Sequence, residues 1–88
     1  MQVWALVNNA RGGDAAVAVF ANRELALEVA RETIRTWQFD KNDGVPAEDV
    51  VQALRDFDAE AAAGGNAGGG DPNCVFYVEI LQLPVLGA

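Results

Sequence analysis

The sequence predicts an α+β domain in which two amphipathic helices cover one face of a three-stranded sheet. Three observations carry this. Runs of β-favouring apolar residues stand near both ends of the chain, apolar residues recur at intervals of three and four in its middle, and polar or glycine-rich breaks separate these stretches. At 88 residues, 51% of them apolar, the chain is expected to form a single domain over 1–88 with a core of its own.

Residues 2–8 place Val3, Ala5 and Val7 on one side and Trp4 and Leu6 on the other, so they read as a strand covered on both faces and central in its sheet. A polar turn with Gly12-Gly13 follows, then a second strand over 16–21, making a hairpin. Asn22 is a suitable N-cap for a helix running to about Gln38. Leu25, Ala26, Val29, Ala30, Ile34 and Trp37 fill one arc of it, and Glu24, Glu28, Arg31, Glu32 and Arg35 the other. Beyond a polar break at 39–44, Pro46 opens a second helix with Glu48 and Asp49 at its positive end. Val50, Val51, Leu54, Phe57 and Ala61 form its apolar stripe. Residues 64–73, opening with Gly-Gly-Asn-Ala-Gly-Gly-Gly, read as a flexible linker, and Cys74 to Leu83 as the third strand, stopped by Pro84.

The topology is therefore β-β-α-α-β. Setting the last strand beside the first gives the sheet order 2-1-3, antiparallel or mixed, because the direction of the third strand is left open. With both helices on one face, the other face carries either Trp4 and Leu6 or Val3 and Val7. An uncovered apolar sheet surface marks a partner or a dimer contact.

Thirteen acidic against six basic residues give a net charge of -7. Direct binding to nucleic acid is not expected, because that affinity comes from Lys and Arg displacing counterions. A protein partner with a basic surface suits this charge. No apolar run approaches a membrane span, and the single cysteine, Cys74, excludes an internal disulfide, so the chain is expected in the cytoplasm. Histidine and serine are absent and Lys41 is the sole lysine, which leaves almost no nucleophile-and-base pair. The chain is expected not to be an enzyme and to use no cofactor.

Two resemblances stand in the sequence. Residues 40–51, with Asp40, Asn42 and Asp43-Gly44, resemble the calcium loop of EF-hands, but the turn glycine comes one position early and Val51 stands where the bidentate glutamate belongs. No metal ligand is assigned on it. The sequence Val3-Trp4-Ala5-Leu6-Val7, then Val17-Ala18-Val19-Phe20-Ala21-Asn22 leading into an alanine-rich helix, resembles small bacterial and phage β-β-α-β proteins. Some small acidic phage proteins inhibit host defence complexes, anti-CRISPR proteins among them. The resemblance implies a fold and a class of role, and no catalytic residue.

The leading reading is a non-catalytic protein-binding module, an inhibitor that covers a basic surface through Glu48, Asp49, Asp56 and Glu60 on the second helix. The alternative is a structural or regulatory subunit, or a homodimer, binding through the sheet face with Trp4 and Leu6. The third is a metal-responsive switch at residues 40–49.

Overall fold

A computed structural model of the chain describes residues 2–9, 16–39, 44–70 and 77–84. Strand β1 (Gln2–Asn9) pairs antiparallel with β2 (Ala16–Phe20), with Trp4 opposite Phe20 and Val7 opposite Val17. Helix α1 (Arg23–Thr36) starts as its sequence requires: Asn22 Oδ1 accepts the Leu25 amide at 3.2 Å, Glu24 lies in the first turn and Arg35 in the last. It tightens into a 3-10 turn over Trp37–Phe39, which buries Trp37.

Helix α2 (Ala47–Ala63) begins one residue later than its proline suggests. Pro46 is extended, and its carbonyl accepts the amides of Asp49 and Val50 at 3.0 and 3.1 Å. Gly64, at φ 86°, turns the chain out of the helix, a conformation that L side chains rarely adopt. Strands β3 (Ala67–Gly70) and β4 (Tyr77–Pro84) complete the fold.

The expected three-stranded sheet in the order 2-1-3 is corrected to a four-stranded antiparallel sheet in the order β2-β1-β4-β3. The added strand comes from the expected linker. Ala67 to Gly70 pair with Ile80 to Tyr77, while residues 71–73 of that stretch, and Cys74 with its two successors, lie outside the described residues. The physical reason lies in Gly69. A β-carbon there would stand 2.9 Å from the Ala53 carbonyl oxygen and 3.1 Å from both Ile34 Cδ1 and Phe57 Cβ. The missing side chain thus lets a strand backbone lie directly against α2, where composition alone reads only looseness.

α1 packs over β1, β4 and β2, and α2 over β3. Between these helices and the sheet lies one core, with Ile34, Phe57, Val78 and Ile80 fully enclosed and Leu6, Leu27, Trp37 and Val50 beside them. Two contacts tie the helices together. Arg31 Nε donates to Asp58 Oδ1 at 2.6 Å, and Arg23 Nη2 donates to the Ala61 carbonyl at 2.9 Å, capping the end of α2 from the first turn of α1.

Candidate protein interaction surfaces

The register decides which side of each strand meets the helices. Trp4 and Leu6 turn inward with Phe20, Val78 and Ile80, and all five belong to or pack against the core. Trp4 and Leu6, expected as candidates for the exposed sheet face, are therefore placed on the covered side, and Leu6 is only 5% exposed. The indole nitrogen of Trp4 is buried there with no hydrogen-bond partner among the described residues.

The open face is built from the other set. Val3, Ala5 and Val7 of β1 stand between Val17 and Val19 of β2 and Glu79, Leu81 and Leu83 of β4. Val17, Val19 and Leu83 are 63%, 64% and 42% exposed. Ala5 is buried because larger neighbours, Val19 and Leu81 across the strands, overshadow it. At a strand spacing of about 4.8 Å and a rise of about 3.4 Å per residue, the apolar part of this face covers roughly 230 Å². Glu79 is its one charged side chain among the described residues.

The second surface is the outer side of α2. Glu48, Asp49, Asp56 and Glu60 are all exposed, as the spacing predicts. Asp56 accepts from Gln52 Nε2 at 2.9 Å, which leaves its charge unneutralised, whereas Asp58 is turned away to Arg31. Arg35 likewise pairs with Glu32 within α1.

A third feature was not legible in the sequence. A groove of about 480 Å³ runs round the outer edge of β3, lined by Asp56, Ala59, Glu60, Gly68, Gly70 and Tyr77. The Tyr77 hydroxyl lies over Gly68, 2.9 Å from where a β-carbon would be, and donates to Glu79 Oε2 at 3.2 Å. Burial, then the charge and hydrogen bond of Glu79, then the charge of Glu60, hold the Tyr77 pKa above its ordinary 10.0. The Gln82 amide donates to Asn66 Oδ1 at 2.8 Å, so Val78, Ile80 and Gln82 turn their backbone groups toward β3. By antiparallel alternation Ala67 and Gly69 face β4, and the N–H and C=O groups of Gly68 and the N–H of Gly70 point outward, while Gly70, at φ 97°, turns the chain out of the strand.

Among the described residues no group of Cys, Asp or Glu is placed to hold a metal ion, and residues 40–43 of the EF-hand-like segment lie outside them. No described helix is long and apolar enough to cross a membrane. No protein-family model matches the chain, and comparison with curated proteins and with solved structures gives no match.

Proposed function

We propose that this chain is a non-catalytic protein-binding module that docks through the open face of its sheet. The observation carrying the reading is the exposure of Val17 and Val19 beside Val3, Val7, Leu81 and Leu83 on a side that neither helix covers. Apolar side chains gathered on one sheet face, with valines more than half exposed, suit a binding surface, since the largest apolar patch of a small protein is often a functional one. The partner presents a flat apolar patch, and a second copy of the chain meets that description as well as a different protein does.

A second reading rests on a different observation. Glu48, Asp49, Asp56 and Glu60 form an exposed acidic flank on α2, which suits a small inhibitor covering a basic surface of a larger complex. One experiment separates the two. Partners are trapped in the native host by crosslinking and identified, and the affinity of the recovered partner is measured for the parent, for Val19→Asp, and for Asp49→Asn/Asp56→Asn/Glu60→Gln. Loss of binding only with Val19→Asp supports the sheet face, and loss only with the amide variant replaces it by the acidic helix. Light scattering over a concentration series reports whether the partner is a second copy.

A further inference from the structure

We propose that the outer edge of β3 takes up an extended peptide segment bearing arginine or lysine as a fifth strand of the sheet. This surface adjoins the open face at Glu79 and shares Asp56 and Glu60 with the acidic flank of α2, but the proposal does not depend on docking through Val17 and Val19.

Among the described residues nothing pairs with the outer edge of β3. Sheet edges are normally blunted by lysine, proline, a bulge or covering side chains. On β3 the outward groups are the N–H and C=O of Gly68 and the N–H of Gly70, which have no partner among the described residues; neither glycine has a side chain of its own, and only the Tyr77 hydroxyl stands over Gly68. A strand added at the usual spacing of about 4.8 Å falls within the groove that already runs along this edge.

The lining of the groove selects the occupant by charge. Side chains of an added strand alternate, so one set runs beside α2 and the other beside Tyr77. On the α2 side, Ala59 leaves room between the carboxylates of Asp56 and Glu60, and neither is paired with a cation among the described residues. On the other side Glu79 holds the Tyr77 hydroxyl. A long basic side chain reaches a carboxylate from either set, while an acidic segment meets repulsion from a chain whose net charge is already -7.

The test uses the whole chain and a fluorescein-labelled, blocked Arg-Val-Arg-Val-Arg peptide, read by anisotropy, with amide hydrogen exchange as the second measurement. Saturable binding is expected. It should weaken about ten-fold or more when the central arginine is replaced by proline, which removes a ladder donor, or in Asp56→Asn/Glu60→Gln. The amides of Gly68 and Gly70 should gain protection in the parent complex, a readout that needs no variant. The proposal is overturned by absence of saturable binding, by equal binding of the proline peptide, by undiminished binding to the double variant, or by protection at the β2 edge instead. Protection of Gly68 and Gly70 that rises with protein concentration and no peptide would also overturn it, since a second copy would then fill the edge. None of these outcomes bears on Val19→Asp, which probes the open face.

Discussion

Gly69 and Ala53 meet backbone to backbone: a β-carbon on the glycine would stand 2.9 Å from the Ala53 carbonyl oxygen. Ile34 and Phe57, both fully buried, close the same space at 3.1 Å. The helix and the strand therefore touch at their main chains, with the two side chains packed around the contact, and nothing larger than hydrogen fits at position 69.

Gly69→Ala is accordingly expected to destabilise the fold by about 1–3 kcal/mol, because the obstructing atom is helix backbone and cannot turn aside. In a domain of this size each 1 kcal/mol lowers Tm by about 4–8 °C, so thermal unfolding resolves the effect. Gly68→Ala is the matched comparison. It meets the Tyr77 hydroxyl, the far end of a side chain, and should stay close to the parent Tm. Equal losses in the two variants would refute the backbone contact.

Arg23 supplies a positive charge that α2 lacks in its own last turn, donating to the Ala61 carbonyl at 2.9 Å and the Gly65 carbonyl at 3.4 Å. Arg23→Met keeps most of the stem and removes the donors, and is expected to cost about 1–2 kcal/mol. Urea unfolding measures the loss, and faster amide exchange over 61–65 locates it. A variant as stable as the parent would mean that the contact contributes nothing.

Tyr77 is the single tyrosine, so its ionisation is visible by phenolate absorbance without interference from another. Its midpoint is expected above 10.0. Glu79→Gln should lower it without bringing it to 10.0, because burial is the largest cause and remains. The protonated phenol is the form favoured by folding. Its contribution to stability is complete below 10.0 and is lost as pH climbs through the raised folded value. A midpoint at or below 10.0 would remove the carboxylates from the account of the groove.

Val17→Thr/Val19→Thr keeps the β-branched shape on an exposed strand, so stability should stay within about 0.5 kcal/mol of the parent. Two hydroxyls would then have to be desolvated in any contact made by this face, weakening association by about ten-fold or more. Unchanged association of the folded variant, measured by light scattering or against the recovered partner, would exclude the open face as the interface.

The helices were legible because each carries its own period: Ala26, Ala30 and Ile34 in one, Val50, Phe57 and Ala61 in the other. The orientation of β1 was not, since Val3 and Val7 are as apolar as Trp4 and Leu6 and only pairing with Phe20 and Ile80 decides between the faces. β3 left no signal, because Ala-Gly-Gly-Gly has neither β propensity nor alternation. What it offered was size alone, with Ala67 and Gly69 two residues apart on the side that must admit a helix. The acidic residues of α2 are exposed, but the groove that Asp56 and Glu60 share with Tyr77 depends on a strand that composition conceals.

The strand order has a consequence for how the molecule is made. β4 lies between β1 and β3, with Leu6 opposite Ile80, so of the four described strands the one synthesised after the others is an inner one. Until it arrives, β1 keeps an unpaired edge and Leu6 lacks the neighbours that enclose it, while β3 has no ladder at all. Synthesis therefore runs nearly to Pro84 before the sheet can close. During that interval the nascent hairpin of β1 and β2 presents a sticky valine-rich ribbon, the species on which chaperone capture or aggregation would act.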